Sequence, residues 1–540
     1  MPLLNLRSRV RGCGVRQDAL LQGKTTEIIM VAGLRNGMSW LRAFASLLLL
    51  LGVIAPACPA QAQTPIPERA PDLVLSGTMS QMDHQKYREV SFKVPKGTER
   101  LMVAFEYTGK AQRTTLDIGL RDPERFRGWS GGNKDRVVVE ATNATPSYLS
   151  GPILSGQWHL IIGVPNIRKT SQATYTARIW FDPSATPFPG FVAPAPQADP
   201  RWFRGDLHAH TAHSDGSCLS VQGRRVPCPV FKTLEAARGR HLDFISVTDH
   251  NTTSQNQALA ELAPYFDDLL VLPGREITTF QGHANVWGPT QALDFQLGTP
   301  RAKTFEAIEN QVHAAQGLVS INHPVLPSGE ACMGCGWTAK TDWSKVDAIE
   351  VVNGGSLATL GAEGPMSGIP FWEGLLDQGY RITAVGGSDN HDPDLATEKP
   401  GTLGRPTTYV HATALSQSEI LKSIRQGRVF IDVLGLPSPR LEVQARLGAQ
   451  IVEMGGTLIG HPGEKITVKT VAKGLPEGAV VSVRGSAAGD LGQKNWPATA
   501  EEIEVTLSIA ERPSWVRFDI RTAQGSLILL GNPIYLRSRP

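Results

Sequence analysis

Charge of one sign is what this 540-residue chain lacks: 53 Lys and Arg stand against 50 Asp and Glu, a formal net charge of +3. Even that excess belongs to the N-terminus, because residues 1–62 carry seven basic and two acidic side chains and leave the remainder at −2. A chain so balanced has no basic stripe along which a long nucleic acid would lie. The arginines at Arg224, Arg225, Arg238 and Arg240 offer a local patch at most, and read more simply as solvated surface.

Low-complexity tracts, internal repeats and a long apolar run are also missing. The stretch from Ala43 to Ile54 follows Arg42, is too short to span a bilayer comfortably, and precedes a small-x-small signal at Ala60-Gln61-Ala62. Cleavage after Ala62 and export to the periplasm or the medium are expected, with no stable membrane span afterwards; an uncleaved anchor is the alternative. Pro56 and Ala55 make a poor lipid-attachment site ahead of Cys58. Residues 1–37 form an arginine-bearing leader before a second plausible start at Met38, with Met30 as the alternative start.

Cysteine is scarce, six in all. Four lie beyond the leader, Cys218, Cys228, Cys332 and Cys335, and in an oxidising compartment two disulfides are the favoured reading. Three connectivities are open, and the Cys-x-x-Cys spacing also permits a structural zinc site of four thiolates. Both pairs fall in segments following candidate metal-binding clusters, where they would brace a rim.

About 480 residues beyond the leader leave room for several domains. Residues 63–183 alternate in β fashion, as at Leu101, Val103, Phe105 and Tyr107, and read as an antiparallel sandwich. Six prolines between Pro183 and Pro200 then mark a stiff connector over 184–202. Residues 438–540 alternate again at Ile503, Val505, Leu507 and Ile509, the pattern of a second, smaller β domain.

Between these flanks, 203–437 alternates short β-branched runs with helical patterns, as parallel α/β structure does. The runs are 242–247, 269–272, 318–321, 348–352 and 382–385. One helix is expected after Thr304, with Phe305, Ile308, Val312 and Ala315 on one face and Gly317 as its end. Another opens on a capping-box pattern, Ser416 to Glu419, and stops at Gly427.

What this middle region holds in abundance is metal-binding chemistry. Short clusters follow the apolar runs: Asp206-Leu207-His208-Ala209-His210, Ser214-Asp215, Thr248-Asp249-His250, Arg275-Glu276, His283, Asn322-His323-Pro324 and Ser388-Asp389-Asn390-His391. Imidazoles mixed with carboxylates suit transition ions such as zinc, manganese or iron, whereas an all-oxygen set would suit calcium or magnesium. A lone His-x-His is weak, but the ordered series is specific.

Taken together, the clusters resemble the PHP family, the polymerase and histidinol phosphatase domain, and in particular its secreted metallohydrolase branch related to carbaryl hydrolases. The resemblance covers about residues 203 to 435 and implies a distorted (β/α)7 barrel with its active residues at the C-terminal ends of the strands. Three metal ions are implied: one on His208, His210, Glu276 and Asp389, a second on Glu276, His283 and His323, and a third on Asp215, His250 and His391. Glu276 would bridge two of them.

Other polar residues have expected roles around that centre. Asp249 would orient a neighbouring imidazole, Arg275 would clamp an anionic oxygen, and His213 would protonate a leaving group. Glu350 and Asn353 would line the same mouth.

The expected function is an exported metal-dependent phosphoesterase that acts on a small phosphomonoester or phosphodiester. A 5′ to 3′ exonuclease on short DNA or RNA, an aryl ester or carbamate hydrolase, and a non-enzymatic binding module are the alternatives.

Overall fold

The computed structural model describes residues 65–131, 134–183, 186–191, 200–330, 332, 334–489, 491, 494–498 and 502–539. The leader and cleavage signal read at 1–62, and most of the proline-rich connector, lie outside the described residues.

Residues 73–182 fold into two antiparallel sheets of four strands. One runs Leu73–Met79, Ala173–Asp182, Arg100–Tyr107, Arg136–Glu140, and the other Tyr87–Val94, Gly156–Asn166, Thr115–Arg121, Phe126–Trp129. Alternation puts Leu101, Val103, Trp158, Ile162 and Ile179 between them, where burying apolar surface is the main stabilising term.

The middle of the chain supplies nine strands of one large sheet. They are β1 (Arg201–Asp206), β2 (Phe244–Val247), β3 (Leu270–Thr279), β4 (Gly282–Trp287), β5 (Leu318–Ile321), β6 (Ala348–Asn353), β7 (Thr383–Gly387), β8 (Thr407–Ala412) and β9 (Val429–Asp432). Their spatial order is β7-β6-β5-β4-β3-β2-β1-β8-β9. β7, at the start of that path, meets β8 through one side chain, since Gly386 donates its N–H to Thr408 Oγ1 at 2.9 Å and Thr408 Oγ1 donates to Gly386 O at 2.7 Å.

Among the described residues, six helices pack beside these strands: α1 (Val230–Gly239), α2 (Gln255–Leu262), α3 (Phe305–Ala314), α4 (Gly354–Leu360), α5 (Ile369–Asp377) and α6 (Gln417–Arg425). Helix α3 begins after Thr304, whose side chain makes no capping bond, and buries Phe305, Ile308 and Val312. At α6, Ser416 Oγ accepts the N–H of Glu419 at 3.3 Å, so half of the expected capping box forms.

The architecture is mixed α/β with sheets predominating, and a regular (β/α)7 alternation does not appear. Only Phe280 and Gln281 separate β3 from β4, too few residues for a helical crossover, so these strands pair antiparallel. The pairs β4–β5, β1–β8 and β8–β9 are antiparallel as well, while β1–β2–β3 and β5–β6–β7 are parallel.

Nor does the sheet stop at β9. Phe430 and Ile431 pair with Gly531 and Leu530 of the strand Leu527–Gly531, which continues into Ser514–Arg521. The C-terminal strands thereby extend the central sheet. Ser514–Arg521 is buried along its whole length, as suits an interior strand. Among the described residues, no helix is long and apolar enough to cross a membrane.

Candidate metal centre

The first cluster starts where β1 ends. The buried carboxylate of Asp206 accepts the backbone N–H of His208 at 3.2 Å and of Ser388 at 3.1 Å through Oδ1, and that of Gly404 at 2.7 Å through Oδ2. These bonds tie the loop after β1 to the loop after β7. A backbone bridge between Ala209 and Asn390 holds the two loops side by side, and the N–H of His210 bonds to Asn390 O at 2.9 Å. His208 and His210 thus meet Asp389, although 179 residues separate His210 from it.

Glu276, in β3, is the hub. Its Oε2 lies 2.9 Å from His250 Nδ1, 3.4 Å from His208 Nε2 and 3.5 Å from His210 Nε2, and its Oε1 lies 3.2 Å from His283 Nδ1 and 3.4 Å from His323 Nε2. One carboxylate therefore faces five imidazoles. Asp389 Oδ1 adds a second acidic contact, 3.1 Å from His210 Nε2 and 3.2 Å from His208 Nε2. At the outer edge, Asp215 Oδ1 lies 3.2 Å from His391 Nε2 and 3.7 Å from His250 Nε2. All nine sequence-expected ligand residues come together.

Burial grades the centre from floor to rim. The side chains of Glu276, His208 and His323 are at most 3% exposed, whereas His250, His391 and Asp215 are 27%, 38% and 58% exposed. Approach from solvent is therefore over Asp215 and His391.

Burial alone would discharge these groups, yet opposite charge outweighs it at most of them. Glu276 and Asp389 are held well below the usual carboxylate range: burial works against the charge, and the surrounding imidazoles more than compensate. Against the same burial, the carboxylates push His250 up to about 10 and His391 up to about 9. At His210 burial prevails and the pKa is lowered.

The donor set suits divalent metal ions on structural grounds. Three groups of potential ligands have donor atoms within 4.8 Å of one another: His210, Asp215, His250 and His391; His208, His210 and Asp389; and His283, His323 and Cys335. His208 Nε2, Glu276 Oε2 and His323 Nδ1 are buried without a hydrogen-bond partner, a costly arrangement for a polar core and an ordinary one for ligand atoms. Two ligands also hold left-handed backbone angles, φ +29° at His323 and +53° at Asp389, strain of a kind that gathers at functional sites.

Neighbours orient the ligands. Glu350 Oε1 lies 2.9 Å from His208 Nδ1, and Glu350 Oε2 accepts the N–H of His323 at 3.0 Å. Asn353 Nδ2 donates to Asp389 Oδ2 at 3.2 Å, and Asn322 Nδ2 to Glu276 Oε1 at 3.0 Å. Gly387 has to be glycine, because a Cβ there would sit 2.6 Å from His208 Cβ and collide with Glu350 Oε1.

Two of the three other expected participants stand differently. Adjacent strand residues point to opposite faces, so with Glu276 aimed at the cluster Arg275 turns away; its Nη2 donates to Pro289 O at 3.1 Å and burial lowers its pKa to about 10. It is not placed to clamp an anion in the cleft. Asp249 touches no imidazole directly: Oδ1 accepts Thr211 N–H at 2.7 Å and Ser214 O–H at 2.6 Å, and Oδ2 accepts Thr211 O–H at 2.7 Å, fastening the loop between His210 and Asp215, while Ser214 Oγ in turn lies 3.3 Å from His210 Nδ1. His213, on that loop, has Nδ1 2.7 Å from Ser254 Oγ.

Sequence reasoning gave Cys335 no place at the centre, and no local signal would have found it, because backbone bonds from Thr338 and Ala339 to Gln281 are what fasten its loop to the β3–β4 turn. The structure pairs Cys218 with Cys228 and Cys332 with Cys335.

No protein-family model matches the chain, and neither does any curated protein. Among solved structures the chain is similar to a two-domain protein from Bacteroides vulgatus ATCC 8482, described as containing a predicted PHP-like metal-dependent phosphoesterase. The identity is 17% and the TM-score 0.32, over 62% of this chain and 96% of that one.

Proposed function

We propose that the chain is an exported, metal-dependent phosphoesterase whose ions, zinc, manganese or iron and up to three in number, are held by His208, His210, Asp215, His250, Glu276, His283, His323, Asp389 and His391. The observation that carries this reading is the Glu276 carboxylate facing five imidazoles with both of its oxygens, the arrangement a bridging ligand requires. When bound, such ions supply an attacking hydroxide near neutral pH and offset the charge that builds on a phosphoryl group.

The protein's own part is positioning. Glu350 fixes the ring of His208 and the backbone of His323 together, Asn353 fixes Asp389, and Asp249 fixes the loop that presents Asp215. Substrate enters over the half-exposed rim, where His213 is the candidate proton donor to the leaving group. A phosphoester fits better than a carbamate, because nine ligands around one bridging carboxylate could hold more than one cation, and a phosphoryl group builds negative charge on more oxygens than a carbonyl does. The two disulfides agree with export.

The test is turnover by the purified protein after loading with manganese or zinc. Hydrolysis of 4-nitrophenyl phosphate or its bis-ester, with naphthyl esters left intact, is expected. Hydrolysis of naphthyl esters or carbamates alone would overturn the reading, and preferential trimming of short oligonucleotides from the 5′ end would replace it with a nuclease.

A further inference from the structure

Cys335 ends up inside the centre. Its Sγ and one ring nitrogen each from His283 and His323 lie within 4.8 Å of one another, and all three residues are buried. The loop that brings it there is pinned to both ligand segments: Trp337 N–H bonds to Pro324 O, next to His323, at 2.8 Å, and Gln281 O, in the turn before His283, accepts the N–H groups of Thr338 at 2.7 Å and Ala339 at 2.9 Å. Gly334, at φ +79°, lets the chain pass against Thr279 O and Phe280, where a side chain would collide. A second observation points to a ligand at this spot, for the same Glu276 Oε1 lies 3.2 Å from His283 Nδ1 and 3.4 Å from His323 Nε2, so a carboxylate oxygen and two imidazoles already converge there in side chains at most 6% exposed.

Cys335 is also disulfide-bonded to Cys332, three residues earlier, and Cys332 is the less buried residue of the pair. We propose that Cys335 is a redox-gated metal ligand: with the disulfide opened, its thiolate joins His283, His323 and Glu276 on one ion, and with the disulfide closed it is withdrawn. This rests on the metal-centre reading above and adds a fourth donor and a control to it. Three protein donors leave a position open for water or substrate, whereas two imidazoles, a carboxylate and a thiolate complete a tetrahedral zinc shell. Oxidation would keep that position available and reduction would fill it.

The chemistry balances with a dithiol as reductant. Its thiolate attacks Cys332 Sγ, the S–S bond breaks and the electron pair leaves on Cys335 Sγ. The reductant's second thiol then displaces Cys332 as a thiol, and the reductant departs as a disulfide. The thiolate released at Cys335 is already in the ionised form that a metal binds.

Cobalt(II) reports the outcome through the sulfur-to-metal charge-transfer band that only a thiolate ligand gives, while imidazole and carboxylate ligands give the weaker visible bands. The mature protein should bind cobalt without the charge-transfer band and gain it after dithiothreitol. Cys332→Ser should show it without reductant, and Cys335→Ser should lack it in every condition while retaining cobalt. Reduced wild-type protein and Cys332→Ser that both bind cobalt with no thiolate band would overturn the proposal and leave the metal centre standing. Failure of every form to bind cobalt would overturn both. Should Cys332→Ser fail to fold, reduced wild-type protein against Cys335→Ser gives the same readout.

Discussion

The Glu350 carboxylate lies 2.9 Å from His208 Nδ1, on the side of the ring opposite the Nε2 that faces Glu276 and Asp389. A carboxylate bonded to the far nitrogen of a ligating histidine fixes its tautomer and raises its basicity, and losing such a partner typically costs about 10- to 100-fold in metal affinity. Glu350→Gln keeps the shape and removes the charge, so affinity should fall within that range in competition titrations against a chelating dye. Unchanged affinity would mean that His208 is not a ligand through Nε2.

Asp249 acts on the loop it ties down. Replacing it with asparagine puts an amide N–H where an oxygen accepts from Thr211 or Ser214, leaving at least one buried donor unpaired. Asp249→Asn is expected to lose about 2 kcal/mol in urea unfolding, a charge-assisted hydrogen bond being worth about that much. A change below about 0.5 kcal/mol, typical of surface substitutions, would contradict the role.

Away from the centre, Glu309 in α3 is fully buried and neither carboxylate oxygen has a hydrogen-bond partner. Burial pushes its pKa from 4.5 to about 7, and His313 and Lys345 pull it back only in part. Between those values the folded chain keeps a proton that the unfolded chain releases, so this residue's contribution to stability is present below the lower value and lost as pH rises through the higher one. Glu309→Gln removes the titration. The difference in Tm between about pH 5 and about pH 8 should shrink relative to wild type, and an unchanged difference would contradict the assignment.

Most ligand positions were legible because parallel strands deliver the residues that follow them to one edge of a sheet. His250 follows β2, His323 follows β5, and Asp389 and His391 follow β7, where the apolar runs 242–247, 318–321 and 382–385 had placed strand ends. The antiparallel β4 was not legible as such: with no strand expected at Gly282 to Trp287, nothing in the hydrophobic pattern gave its direction, which the two-residue turn at Phe280 and Gln281 decides. Arg275 could have been ruled out beforehand, since strand alternation sends it opposite to Glu276. Glu350 was readable as lining the mouth, but its bond to His208, 142 positions away, was not, and neither was the approach of Cys335 to His283 and His323. No rule of spacing encodes such meetings.

The central claim is that nine side chains share one metal centre, and anomalous scattering from a crystal of the manganese-loaded protein tests it most directly. At least two peaks are expected about 2.0 to 2.3 Å from these imidazole nitrogens and carboxylate oxygens, the span of ordinary transition-metal coordination, with Glu276 touching both. Electron density that leaves the nine side chains bonded only to one another or to water, in a protein saturated with manganese, would contradict the account.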